Sequence, residues 1–380
     1  MRKVALMTWY DNENYGSALQ AYALQSMISG FADCEIIPYK SQHPGYGLKD
    51  IVNPVLRKNL IWKVYERFFL KLRSDVYSQS EQVRRERMLS FFNDKLRIAN
   101  IDNLNEIWEY VNREYDAVVC GSDQIWNPTR YDKRFFLDFV VDEIPKIAYA
   151  PSFGVSKIAN KAISNEISKL LLRFDFLSVR ERAGQQIVSE LIQKEAPVCL
   201  DPTLLQGKDF WNRLADESKN ALPEKYAYCY LLGRNKRHFN TSKAISNTLG
   251  LKLLQLPYHI SDYMNECEFV PPSGPADFLS AIRKSEFVCT DSFHGAIFAI
   301  LFEKPFVVFK RFNSANSSSQ NSRIETLLEV AGFEKRLELG SFSSEKELMD
   351  IRFGRCRERL EIVRNESVDY LKNALSLSLH

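Results

Sequence analysis

The residue of this chain best suited to moving a proton is a histidine just beyond a short apolar run, in Thr290-Asp291-Ser292-Phe293-His294-Gly295. A free imidazole titrates near neutral pH, so it can serve as general acid or base without extreme tuning. Phe287 to Cys289 reads as a buried strand and Ala296 to Leu301 as the apolar face of a helix. His294 is then expected at the carboxyl end of a sheet, where open α/β folds take their ligands. Asp291 is placed either to orient the ring or to cap the helix.

Other strand ends also carry suitable groups. Asp11-Asn12-Glu13-Asn14-Tyr15-Gly16-Ser17 follows an apolar run, so Asn14, Tyr15 and Gly16 either admit a ligand to a helix N-terminus or simply cap that helix and turn tightly. Gly121-Ser122-Asp123-Gln124-Ile125-Trp126-Asn127 gathers hydrogen-bonding side chains around a tryptophan, a composition suited to a sugar. The plainer reading is a turn over a core tryptophan, and position at a strand end favours the site. Arg180 follows Phe176 to Val179, and Arg323 falls in the first turn opened by the capping-box spacing Ser322-Arg323-Ile324-Glu325. A guanidinium at either place forks onto a carboxylate or phosphate, whereas its ordinary fate is a solvated helical turn. The polar, short-chained stretch from Phe312 to Ser322 reads as a lid or a surface loop.

Alternating strands and helices must position these ends. Val4 to Thr8, Glu35 to Ile37, Ala117 to Cys120, Ile147 to Ala150, Phe176 to Val179 and Val198 to Leu200 read as strands, with a helix over Tyr15 to Ile28. A largely parallel sheet follows. Polar residues 207 to 225 lead to a second series: Tyr226 to Leu232, Leu251 to Leu254, Phe287 to Thr290 and Phe306 to Phe309, with helices near 239–249, 275–284 and 294–303. The expected architecture is α/β, an N-terminal domain over 1–203 and a C-terminal domain over 204–343, with an amphipathic helix over 344–375 packing back on the first.

Composition narrows the classes. A length of 380 residues suffices for two domains, and 45% hydrophobic with 26% charged residues matches a water-soluble globular chain. The net charge of +3 supplies no basic footprint for nucleic acid. The apolar start is cut short by Trp9, Tyr10 and Asp11, too soon for a signal peptide, and no apolar run approaches the roughly 20 residues that span a bilayer. Seven scattered cysteines without a CxxC pair read as reduced core residues of a cytoplasmic protein, and no metal-ligand spacing is visible.

The blocks Asn14 to Gln25, Gly121 to Asn127, Asp201-Pro202-Thr203 and Thr290 to Gly295 resemble, in order, the polysaccharide pyruvyl transferase family, and Tyr149 to Gly154 and Ser178 to Glu181 fit the same pattern. The resemblance spans about residues 4 to 330. It implies two Rossmann-like domains facing a cleft, similar to the GT-B glycosyltransferases, with phosphoenolpyruvate as donor substrate, no further cofactor and no metal. The implied product is a pyruvate ketal on a capsular or exopolysaccharide sugar, galactose being the first guess, with a lipid-linked oligosaccharide or polysaccharide as acceptor. His294 becomes the general acid, with Asp291 and Asp123 as weaker catalytic candidates. Arg180 and Arg323, then Arg283, Lys304 and Ser292, are the candidates to hold the donor's carboxylate and phosphate. Asn14, Tyr15, Gly16, Ser122, Gln124, Trp126 and Asn127 are the acceptor-side set. A nucleotide-sugar glycosyltransferase of GT-B type and a non-catalytic glycan-binding relative are the alternatives.

Between Val55 and Arg73, six basic residues interleave with Leu60, Ile61, Trp62, Val64, Phe68, Phe69 and Leu72. Such a face suits peripheral contact with the inner side of a cytoplasmic membrane, although an insertion helix with solvated charges is the commoner outcome.

Overall fold

The computed structural model describes residues 2–11, 13–40, 74–311, 321–339 and 344–378. The basic segment Val55 to Arg73 and the loop residues 312–320 lie outside them. One sheet contains β1 (Lys3–Met7), β2 (Asp33–Ile36), β3 (Ala117–Cys120), β4 (Lys146–Ala148) and β5 (Phe176–Leu177), in the order β2-β1-β3-β4-β5. The other contains β6 (Tyr226–Tyr230), β7 (Lys252–Gln255), β8 (Glu268–Phe269), β9 (Phe287–Thr290) and β10 (Phe306–Val308), in the order β10-β9-β6-β7-β8. Every pairing between these strands is parallel. Parallel sheets are covered on both faces, which is why β3, β6 and β9 carry no exposed residue.

In each sheet the strand order reverses beside the opening strand. β1 lies between β2 and β3, and β6 lies between β7 and β9. Connections leave in opposite directions at such a reversal, so a crevice opens beyond the carboxyl ends of the strands. The chain segments there are those holding Asn14 to Gly16, Gly121 to Asp123, Leu231 to Gly233 and Asp291 to His294.

Side chains from both sheets interlock. The helix Tyr15–Ile28 buries 11 of its 14 residues. Tyr15 at its start stacks on Phe278 at 5.1 Å between ring centroids and donates its hydroxyl to the Ser273 carbonyl at 3.0 Å. Arg87 of the helix Ser74–Lys95 reaches Asp277 and the Pro272 carbonyl at 2.7 and 2.8 Å. One apolar cluster therefore runs without a break from Val4 and Leu19 through Trp211 to Phe298 and Leu328.

The sequence expectation fails at several places for identifiable reasons. Val198 to Leu200 is reduced to a single bridge from Val198 to Val179, because the chain turns at once into the short helix Pro202–Leu205. The polar stretch 207 to 225 contains a helix, Lys208–Asp216, whose buried Trp211, Leu214 and Ala215 form one stripe among polar residues. The tail is two helices, Glu345–Met349 and Phe353–Ser378, broken at Asp350 to Arg352. The longer one meets the first sheet's edge through Tyr370 to the Ala148 carbonyl at 3.0 Å and takes a hydrogen bond from Leu200 N at Ser367 Oγ, 3.0 Å. All seven cysteines are free. Among the described residues no helix is long and apolar enough to cross a membrane.

Candidate active site

β9 ends in a turn that its own hydroxyls hold. Thr290 Oγ1 donates to the Tyr230 carbonyl at 2.7 Å and accepts from Ser292 N at 3.0 Å, while Ser292 caps the helix Phe293–Leu301 by accepting from Gly295 N at 3.2 Å. His294 is thereby fixed in the first helical turn, 7% exposed. Its Nδ1 side faces Gly16 so closely that a Cβ at position 16 would lie 2.0 Å from Nδ1, a distance only glycine permits. Its Nε2 is buried, with Asp201 Oδ2 at 3.5 Å and no hydrogen bond of good geometry among the described residues.

Asp201 leads to a chain of buried charges. Its Oδ1 accepts from Thr203 N and Oγ1, at 3.0 and 2.7 Å, and its Oδ2 accepts from Arg180 Nη1 at 2.7 Å. Arg180 Nη2 in turn lies 3.5 Å from Asp123 Oδ1, and Asp123 Oδ2 accepts from Ser17 Oγ at 2.6 Å. Asp123 stands at φ 63°, a left-handed conformation that aspartate tolerates because its Oδ1 also takes the next amide, Gln124 N, at 2.8 Å. Gly121, at φ 133°, lets this turn pass under Tyr149, whose carbonyl would sit 1.9 Å from any Cβ. Burial by itself pushes both carboxyls up. For Asp201 the His294 ring, Arg180 and the Thr203 hydroxyl outweigh burial, and the carboxyl is held well below the usual carboxylate range. For Asp123, Arg180, His294 and Ser17 do the same. Burial lowers Arg180 too, but Asp201, Asp123 and Glu181 more than reverse this and raise it.

Arg323 completes the cationic side. It lies in the first turn of the helix Ser322–Ala331, 8% exposed, and burial together with the like charges of Arg180 and Arg311 pushes it down to about 9. Phe293 is the platform both arginines share, with the Arg180 and Arg323 guanidinium carbons 4.7 and 5.5 Å from its ring centroid. A cavity of about 120 Å³ opens beside them, with Arg180, Arg182, Asp201 and Arg323 as its charged lining and Leu204 and Leu327 among its apolar walls. Two guanidinia facing a small cavity suit an anion with two acidic groups.

The structure thus brings His294, Asp123, Arg180, Arg323 and Gly16 together, with Ser292 next to His294 as the cap. It separates the others. Asp291, expected to orient His294 or cap its helix, does neither, since its carboxylate accepts from Leu232 N and Gly233 N at 2.6 and 2.8 Å and the cap is Ser292. Arg283 pairs with Asp216 at 2.6 Å and precedes β9, while Lys304 precedes β10; both occupy the amino-end edge of the second sheet, opposite His294. Trp126 is fully buried, stacked on Phe136 at 4.9 Å and bonded to the Phe135 carbonyl at 3.0 Å, so it is core. Ser122 is equally enclosed, donating to the Ala150 carbonyl at 2.7 Å. Asn14 caps its helix, Tyr15 is tied to Ser273, and Asn127 caps the short turn Pro128–Arg130 through Thr129 N at 2.9 Å. Gln124, half-buried, lies beside Gly154. Asp201, Phe293 and Ser17 are the members that residue-by-residue reading missed. Asp201-Pro202-Thr203 signals a helix cap locally, and nothing nearby in sequence reveals its distant histidine. Among the described residues no group of three His, Cys, Asp or Glu side chains is arranged to hold a metal ion.

Two parallel Rossmann-like sheets facing one crevice define the GT-B-like class of enzymes. UDP-GlcNAc 2-epimerase from Neisseria meningitidis, solved with UDP-GlcNAc, matches with TM-score 0.52 at 10% identity, over 98% of this chain and 100% of that one. UGT2 of Phytolacca americana, complexed with UDP-2fluoro-glucose and pterostilbene, matches with TM-score 0.50 at 9% identity over 100% of both chains. At such identities the likeness is one of fold. Within that class the chain belongs to the polysaccharide pyruvyl transferase family, whose model matches residues 14–311. No curated protein sequence matches the chain significantly.

Proposed function

We propose that this pyruvyl transferase uses phosphoenolpyruvate to place a pyruvate ketal on two hydroxyls of a glycan sugar, in capsular or exopolysaccharide synthesis. The observation that carries the reading is the buried run from His294 through Asp201 to Arg180, with Asp201, Arg180 and Arg323 lining one small cavity. His294 protonates the donor's methylene carbon, making it a methyl group and leaving C2 cationic. A sugar hydroxyl attacks C2 and gives up its proton, the C2–O bond to phosphate breaks, and a second hydroxyl attacks C2 as phosphate leaves. Of the two hydroxyl protons lost, one restores His294 and the other departs with phosphate. Arg180 and Arg323 hold the carboxylate and phosphate, and Asp123, ionised beside Ser17, accepts a hydrogen bond from an acceptor hydroxyl. The acceptor is a lipid-linked oligosaccharide or a polysaccharide, with galactose as the first sugar to test.

The test is phosphate release from phosphoenolpyruvate with aryl-linked or lipid-linked galactosides, glucosides and mannosides, each product weighed for added pyruvate. Acceptor-dependent release lost in His294→Ala supports the reading. Absence of release with every acceptor, with thermal stabilisation by a nucleotide sugar instead, overturns it in favour of glycosyl transfer.

A further inference from the structure

We infer that Asp201 is the positioning residue for His294, accepting from Nε2–H and so fixing the ring's tautomer and its placement against Gly16. The inference rests on the proposed role of His294 as general acid and adds its partner and its tautomer. Three observations carry it. Among the described residues, buried Asp201 has Arg180 Nη1 at 2.7 Å and His294 Nε2 at 3.5 Å from its Oδ2, and Nε2 has no better partner. A buried imidazole N–H left without an acceptor is costly, and catalytic contacts are commonly long before substrate arrives, so 3.5 Å is a pair waiting to tighten. Finally, the two residues come from different halves of the molecule: Asp201 follows the bridge to Val179, and His294 follows β9. Neither side chain has its partner unless the two halves are apposed.

The other charged groups gathered around His294 are Asp123 after β3, Arg180 after β5, Arg323 on the helix Ser322–Ala331, and Asp291 at the end of β9. Asp291 is committed to backbone amides. Asp123 and Asp201 are the two carboxylates of the buried charge chain. Of these, only Asp201 lies within ion-pair distance of a ring nitrogen.

The measurement is the 15N spectrum of the histidine-labelled full chain, assigned with His294→Gln and titrated from pH 5 to about 9 in the parent and in Asp201→Asn. Asp201→Asn keeps an acceptor for Thr203 and replaces the Oδ2 acceptor, which serves Arg180 and faces His294, by an amide donor. The expected result is a neutral His294 with the proton on Nε2 in the parent. In Asp201→Asn the Nε2–H preference is lost, and kcat drops about 10²-fold or more with a smaller change in KM for phosphoenolpyruvate. A parent ring protonated on Nδ1 overturns the inference without any variant having to fold. A tautomer and pH–rate profile unchanged in folded Asp201→Asn overturn it as well. The spectrum reads the pairing apart from turnover, so failure of the acid role itself is separately visible as full activity in His294→Ala.

Discussion

Gly16 and His294 touch across the two sheets, with room between the Gly16 α-carbon and Nδ1 for a hydrogen and for nothing larger. The start of the first helix is thus also a wall of the His294 site.

Gly16→Ala puts a methyl group 2.0 Å from Nδ1, so either the ring or the helix start must move. The expected cost is about 1–3 kcal/mol of stability, typical of an overpacked contact. Turnover falls by at least about tenfold, because sub-ångström placement of the acid matters to the rate. A thermal melt alongside kcat checks this; undiminished kcat shows that His294 is not constrained from the Gly16 side.

Arg323 is a charge the fold carries at a loss. Burial, with Arg180 and Arg311 nearby, pushes it down to about 9, so it stays charged at neutral pH but carries that charge at a cost relative to the unfolded chain. Arg323→Gln therefore leaves the melting temperature of the unliganded protein unchanged or raised. Phosphoenolpyruvate stabilises the parent and loses that effect in the variant. Differential scanning fluorimetry with and without donor measures both.

Trp126→Phe separates core from site. The substitution removes one hydrogen bond and part of a buried stack, for about 1–3 kcal/mol. KM for the acceptor stays unchanged, whereas a tryptophan stacked on sugar would raise it at least tenfold when trimmed. Steady-state kinetics with graded acceptor decide between them.

Acid should find the charge chain only late. Asp201 and Asp123 are both held below the ordinary carboxylate value, near 3.9 in an unfolded chain. Their contribution is complete above that value and is lost as pH falls through their lower folded values, where the unfolded state already binds more protons. Melting temperature is expected to owe no decline to this pair between pH 7 and about 5, and to fall below about 4. In Asp123→Asn the acid-side slope is shallower by one proton. Melts across buffered pH test the sign; a loss from these groups already at pH 6 contradicts it.

The architecture was legible because parallel strands buried on both faces leave unbroken apolar runs, and β3 and β9 begin and end where those runs do. Lys208–Asp216 escaped because one buried stripe among charges reads as polar on average. The candidate site was legible where a residue is chemically out of place, as His294 and Arg180 are at strand ends. It was illegible where the same residue types do ordinary structural work. Asp291 and Trp126 look like site residues and serve a turn and a core, while Asp201 looks like a helix cap and meets a histidine 93 positions later in the chain. Local sequence encodes the cap, and only the packing of one half on the other supplies the second partner.

The unbroken apolar cluster from Val4 to Leu328 bears on how the molecule comes apart. Rossmann-like halves joined by a thin contact would melt independently and give two calorimetric peaks. Here the helix Tyr15–Ile28 is enclosed by residues of both, so releasing either half strips cover from the other. A single endotherm is expected, with van't Hoff and calorimetric enthalpies in agreement, and the amides of that helix should be among the last to exchange with deuterium.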